Sequence, residues 1–270
     1  MLHLQVKSLL AAPILLVLVA TGCGQKKEPQ EPPASAGAEA EAPAAPAGFI
    51  ADAVNDPGRL ADARVRDPYR KPAEILSFSG IRPGDTVVEI APGGGYYTAL
   101  LSRVVGPSGK VYAVDSERLH EYMPSLREMY TKYIEADPRE NVEYSSQRLD
   151  ALQLPADVDQ VWMVQFYHDT IWLDVDRAAM NKAFFDALKP GGVYLVIDHS
   201  ALAGAGDAVT KDLHRVDSAT VKAEIEAAGF VRAGTSDVLA NADDPLDDSV
   251  FDEARRGRTD RFVWKFVKPQ

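Results

Sequence analysis

Three of the five histidines fall after runs that read as strands or in the loop that follows, each beside a charged group, as His168-Asp169, Asp198-His199 and His214-Arg215. Imidazole next to carboxylate supports two kinds of chemistry. In the first, His168 or His199 accepts a proton from a hydroxyl, thiol or amine while Asp169 or Asp198 orients the ring. Asp198, His214 and Arg215 are then placed to contact a substrate. In the second, two histidines and a carboxylate hold a metal ion. The histidine spacing matches no compact zinc pattern, so acid/base work or substrate contact leads and no metal ligand is assigned. A further set is built differently. Glu89, the consecutive Gly93, Gly94 and Gly95, and Asp115 put two carboxylates on either side of a loop without side chains. Such a loop lets a ligand lie against the backbone, and the helix that follows begins with unpaired N–H groups.

The elements that must position these groups follow from periodicity. In TVVEIAPGGGYYTALL, from Thr86 to Leu101, Val87, Val88 and Ile90 form a β-branched run suited to a buried parallel strand. Tyr97, Leu100, Leu101 and Val104 then recur at helical spacing, so the glycines are the joint of a strand–loop–helix unit. Asp115 ends a second apolar run, GKVYAVD, about 20 residues on, the interval at which a second strand brings a carboxylate to ribose hydroxyls. Further strands are expected at Asn141–Ser146, at Val158–Phe166 and in the run ending at Asp198. A helix is expected from Pro72 to Gly80, one helix from Glu117 to Ala136, and another from Asp217 to Ala228. Val231–Leu239 and Arg261–Val267 read as a closing antiparallel hairpin. The 240–260 connection between them is long enough to border a pocket, and its Asp243-Asp244 and Asp247-Asp248 pairs read as solvated charge. Ligands collect at the carboxyl ends of strands in such sheets, where His168 and His199 fall.

The run E-I-A-P-G-G-G, from Glu89 to Gly95, resembles the E/D-x-G-x-G-x-G motif of the class I S-adenosylmethionine-dependent methyltransferases, and LKPGGVYLVID, from Leu188 to Asp198, resembles the turn into that family's fifth strand. The resemblance covers roughly 68–269. It implies an α/β fold: a Rossmann-like, doubly wound, seven-stranded sheet, mostly parallel with an antiparallel C-terminal strand. It also implies S-adenosylmethionine as cofactor, held by Glu89, Ala91, Gly93, Gly94, Gly95 and Asp115, with Asp150 near the adenine. Ala91 stands where the family usually has its first glycine. The methyl acceptor would be a small molecule or lipid-associated group, with the histidines on its side. Two other readings stay open: a periplasmic scaffold that kept the fold without catalysis, and a metal-assisted hydrolase built on the His/Asp set.

The N-terminal segment has a different character. Lys7 precedes an apolar stretch, Leu9 to Ala20, that is short for a membrane span and suits a signal peptide. Ala20-Thr21-Gly22-Cys23 resembles a bacterial lipoprotein cleavage box, with Cys23, the single cysteine, as the lipidated residue. Residues 24–48 are rich in Pro, Ala and Glu and read as a tether that would reach roughly 75 Å at about 3.1 Å per residue. The organisation expected is therefore 1–23 signal and lipidation box, 24–48 tether and 49–270 catalytic domain. The place expected is the cell envelope, lipid-anchored to a membrane and facing the periplasm, with Gly24 favouring the outer membrane. A formal charge of -11 leaves no basic stripe for phosphates and argues against nucleic acid as partner.

Overall fold

A computed structural model describes residues 46–270. The signal segment, Cys23 and all but the end of the tether lie outside the described residues. The frame is a seven-stranded sheet in the order β3-β2-β1-β4-β5-β7-β6. Its first five strands in sequence are β1 (Thr86–Ile90), β2 (Lys110–Ser116), β3 (Val142–Gln147), β4 (Val158–Val164) and β5 (Leu188–His199), all parallel to their neighbours in that set. β6 (Val231–Ser236) and β7 (Arg261–Val267) form the antiparallel closing pair, with β7 inserted against β5. The strand order reverses between β1 and β4, and the crevice at that switch point is where an open α/β sheet binds ligands.

Alternation along the central strands builds two apolar layers, because successive side chains point to opposite faces. Val87, Trp162, Leu195 and Ile197 contribute to one, and Val88, Val161, Met163 and Val196 to the other. The first layer is covered by α1 (Gly48–Asn55), α4 (Pro72–Ser79) and α5 (Tyr96–Val105) through Ile50, Ile75, Leu76, Leu100 and Leu101. The second is covered by α9 (Arg177–Ala187) and α10 (Ser218–Ala227) through Met180, Phe184, Val221 and Ile225. Each such side chain contributes about 1.5–3 kcal/mol by leaving water, so a core of this size on both faces holds the crevice rigid.

Several boundaries differ from expectation, each for a local reason. The segment expected as one helix is two, α6 (Glu117–Tyr122) and α7 (Ser125–Ala136), since Pro124 has no N–H to continue the ladder. β4 stops at Val164 because Gln165 takes φ 56° and turns the chain out of the sheet. β6 ends at Ser236 rather than Leu239. Before α4 lie α1, α2 (Ala61–Arg64) and α3 (Asp67–Arg70), which apolar periodicity alone did not announce. Because α1 starts at Gly48 and buries Ile50 at 3 % exposure, the folded unit extends upstream of Phe49. No helix among the described residues is long and apolar enough to cross a membrane.

Candidate functional site

The crevice is a cavity of about 520 Å³. One end is formed by the strand–loop–helix unit at β1. Gly93 has φ 57°, and a Cβ built there would meet nothing within 4 Å, so its backbone is open for close approach. Gly95 serves packing instead: its φ is 72°, and a Cβ there would sit 2.7 Å from Tyr133 Cγ and nearer still to the ring edge. Ala91, at the position where the motif has glycine, adopts φ 53°. That left-handed backbone costs a non-glycine residue roughly 1–2 kcal/mol. It is held by the Ala91 N–H donating to the Val114 carbonyl at 2.8 Å, across from β2.

Both carboxylates expected at this end line the cavity. Burial pushes the Glu89 carboxyl up to about 7, against the opposing effects of the Thr98 hydroxyl, which donates to it at 2.6 Å, and of the Arg70 charge. Asp115 is buried at 1 % exposure and already partnered: Oδ2 meets His120 Nε2 at 2.8 Å and accepts from the Tyr144 hydroxyl at 3.3 Å. Opposite them, Arg66 and Arg70 line the cavity and make no ion pair among the described residues. The Arg70 guanidinium lies 4.8 Å from the Tyr96 ring centroid, which holds it over the glycine loop's helix.

The other end gathers the histidines. α8 (Tyr167–Trp172) starts where β4 has turned away, and presents His168 and Asp169 to the cavity. His214 reaches the same place because the chain after β5 folds back on the strand end. Val216 N–H donates to the His199 carbonyl at 3.0 Å, Ser200 and Val216 form an isolated bridge, and His214 itself takes φ 53°. Asp198 is 0 % exposed and does not line the cavity. Its Oδ1 lies 2.7 Å from His168 Nδ1, and its Oδ2 accepts the His168 backbone N–H at 2.8 Å. Burial opposes protonation of His168, but Asp198 and Asp169 outweigh it and lift the ring to about 10. His199 is the opposite case: burial, then the His168 and arginine charges, hold it well below its ordinary value and keep it neutral. With Gln165 Nε2 donating to His199 Nε2 at 3.0 Å, the Nδ1–H is left to donate to Thr259 Oγ1 at 2.8 Å.

The mouth between these ends is apolar. Tyr122, Met123 and Phe251 line it while remaining 63 %, 43 % and 58 % exposed, and Trp172 packs edge-on against Tyr122 with centroids 4.9 Å apart. The expected bordering role of the 240–260 connection corresponds to Val250 and Phe251 here.

Glu89, Ala91, Gly93, Gly94, Asp115, His168, Asp169, His199 and His214 thus share one cavity, while Gly95 lies just behind its wall. Three residues expected at the site do not reach it. Asp150 is tied up by Arg148 and Arg118, at 3.0 and 3.1 Å, away from the cavity lining. Asp198 orients His168, one of the two roles expected of it, and does not reach the cavity as a substrate contact. Arg215, fully buried, is clamped by Asp244 and Asp248, so its substrate role and the purely solvated reading of those acidic pairs are both corrected. Trp172, Gln165 and His120 were missed. Gln165 and Trp172 carried the signal of standing next to the strand-end His168-Asp169 pair; His120 carried none.

The donors fit S-adenosylmethionine. Its ammonium and sulfonium suit the Glu89 carboxylate, its ribose diol suits Asp115, its carboxylate suits Arg66 and Arg70, and the open Gly93 backbone admits it closely. The family model described as protein-L-isoaspartate(D-aspartate) O-methyltransferase matches residues 61–231. Among curated proteins, the ubiquinone/menaquinone biosynthesis C-methyltransferase UbiE of Pasteurella multocida (strain Pm70) is 34% identical over 125 residues, covering 46% of this chain and 44% of that protein. The UbiE of Escherichia coli (strain K12 / DH10B) is likewise 34% identical over 125 residues, covering 46% and 47%. The chain therefore spans about half the length of the curated relatives it matches. A solved S-adenosylmethionine-dependent methyltransferase from Aquifex aeolicus shares the fold, with TM-score 0.54, 21% identity and coverage of 76% of this chain and 95% of that one.

Proposed function

Because the chain belongs to the protein-L-isoaspartate(D-aspartate) O-methyltransferase family, within the class I S-adenosylmethionine-dependent methyltransferases, we propose that it methylates a small apolar or lipid-associated acceptor. One observation carries the reading: a single cavity joins the glycine loop and its carboxylates to an apolar, histidine-lined mouth. The cofactor supplies an activated methyl group on a sulfonium. The protein's part is to hold the acceptor atom in line with it and keep water away. Glu89 faces the cationic end, Arg66 and Arg70 the carboxylate, and Asp115, positioned by His120, the ribose. Tyr122, Met123, Trp172 and Phe251 form a wall suited to an apolar acceptor, in keeping with the quinone-pathway relatives. A protonated His168 donates a hydrogen bond rather than taking a proton, and His199, with Nε2 accepting from Gln165 and Nδ1–H donating to Thr259, fixes this end of the cavity rather than serving as a base.

The test is calorimetric titration of residues 46–270 with S-adenosylmethionine and S-adenosylhomocysteine in two buffers between pH 6 and 8. Glu89 titrates near 7, so it is neutral at pH 6 and charged at pH 8. Cofactor affinity is expected to fall as pH drops through that window, binding at neutral pH should release a proton to the buffer, and Glu89→Gln should abolish both effects. In the free protein the sign is reversed: a raised carboxyl pKa gives stability that is whole below about pH 4.5 and is lost as pH rises through 7. No binding heat with either ligand at either pH sinks the reading.

We further place the enzyme in the cell envelope, held to a membrane by a lipid on Cys23 and facing the periplasm, an arrangement supported by the signal-like segment and the cleavage-box residues. Palmitate labelling in cells should mark the protein and vanish in Cys23→Ser; equal labelling of both ends that proposal.

A further inference from the structure

His168 Nε2, His214 Nδ1 and Asp169 Oδ1 form a nearly equilateral triangle. The edges are 3.2 Å between the two imidazole nitrogens, 3.2 Å from His168 to Asp169, and 3.1 Å from His214 to Asp169. All three residues face the cavity. A divalent ion with ligand bonds of about 2.1 Å spreads adjacent ligands by about 3.0 Å in octahedral geometry and about 3.4 Å in tetrahedral geometry. The triangle lies between those values. Asp169 Oδ1 can accept from both rings, but the 3.2 Å between the two imidazole nitrogens is then left without a hydrogen bond, whereas one central cation accounts for all three edges.

The surroundings match what a metal-binding imidazole needs. Asp198 Oδ1, fully buried, holds His168 Nδ1 at 2.7 Å, the carboxylate–histidine arrangement that fixes a ligating ring. Trp172 Nε1 donates to Asp169 Oδ1 at 2.7 Å and fixes that carboxylate, leaving its second lone pair for the centre. Asp169 in the cavity and Asp198 behind it put two carboxylates on His168, and neither is paired with Lys or Arg among the described residues. All three line the cavity, and among the described residues no fourth His, Cys, Asp or Glu joins the group.

We propose that His168, Asp169 and His214 bind one divalent first-row transition ion on a single face, leaving open positions toward the cavity for an oxygen or nitrogen donor of the bound acceptor. Two imidazoles and one carboxylate select zinc, iron or manganese over magnesium and calcium, which prefer all-oxygen sites. Binding changes no oxidation state. The site assigns metal ligation to residues that sequence spacing had left without it, because His214 is brought in by the fold-back after β5. It does not depend on the methyl-transfer reading.

Chelator-stripped protein is titrated with Co2+, whose visible d–d absorption reports nitrogen and oxygen ligation, and Zn2+ is added as competitor. One Co2+ per chain is expected, displaced by Zn2+. Asp198→Asn, acting through His168, should weaken binding by about 10–100-fold. His214→Ala and Asp169→Asn, which remove a ligand, should weaken it more. His214 is the most exposed of the three side chains, so its substitution tests ligation with the least burden on folding; S-adenosylhomocysteine binding and circular dichroism report folding in parallel. Absence of Co2+ absorption at millimolar metal, or unchanged affinity in folded His214→Ala, overturns the proposal and leaves a protonated His168 held between two carboxylates.

Discussion

Gly95→Ala is expected to destabilise the protein by roughly 2–5 kcal/mol and to abolish cofactor binding. Two costs add. The first is backbone: φ 72° is open to glycine and costs alanine roughly 1–2 kcal/mol. The second is packing, roughly 1–3 kcal/mol, because the new methyl overlaps the ring of Tyr133, itself only 8 % exposed on α7. The ring has nowhere to go without shifting α7, and α7 carries Met129 against Gly94 at 3.6 Å from a would-be Cβ, so relief of the clash distorts the loop itself. Gly93→Ala is the control. It shares the positive φ, 57°, but meets no atom within 4 Å, so only the backbone cost applies to its stability. Urea denaturation of the two variants therefore separates conformational strain from overlap. Equal destabilisation of both would show that Tyr133 yields freely and that Gly95 is not a packing position.

Arg215→Ala is expected to cost about 3–5 kcal/mol, the range for breaking a buried pair and stranding its partner. Side-chain exposure is 0 % for both Arg215 and Asp244. The guanidinium uses every donor: Nη1 and Nη2 reach Asp244 at 2.8 and 3.0 Å, Nη1 also the Ser200 carbonyl at 3.1 Å, Nη2 the Asp248 carboxylate at 3.2 Å, and Nε the Asp248 carbonyl at 2.8 Å. Lysine cannot reproduce that fork, so Arg215→Lys should recover little. Burial raises the Asp244 carboxyl but the Arg215 bond outweighs it and sets the pKa below the ordinary 3.8, so the clamp is intact above that pH and weakens in stronger acid. The local readout is trypsin cleavage at Arg255, Arg256 and Arg258. Wild type should resist nicking there, and Arg215→Ala should be cut before the rest of the domain unfolds. An unfolding free energy changed by less than about 1 kcal/mol in urea, with unchanged proteolysis, contradicts the clamp.

The sheet was legible because Val87-Val88, Val161–Val164 and Val193–Ile197 are apolar runs of the kind a strand buried on both faces shows. The glycine loop was legible because its residue types are unusual anywhere else. Burial was not. Asp198 and Arg215 sit in polar stretches at strand ends and look like ligands for a substrate, yet their partners are His168, 30 residues away, and Asp244, 29 residues away. No local pattern encodes such pairings. Ala91 shows the reverse: its departure from glycine was visible in the chain, but only the backbone angle of 53° shows that the position still demands the glycine conformation. His214 was visible as a histidine and invisible as a neighbour of His168, since 46 residues separate them and a left-handed backbone residue completes the approach.

The clamp on Arg215 has a consequence for how a guest is received. Arg215 follows His214 directly, and its partner Asp248 precedes Val250 and Phe251 by two and three residues, so the histidine and the aromatic roof above the mouth hang from one rivet. A roof already fastened does not have to be ordered when an acceptor arrives. The entropy that a free 21-residue loop would surrender on binding is paid once, during folding, and the affinity of the mouth is spared it.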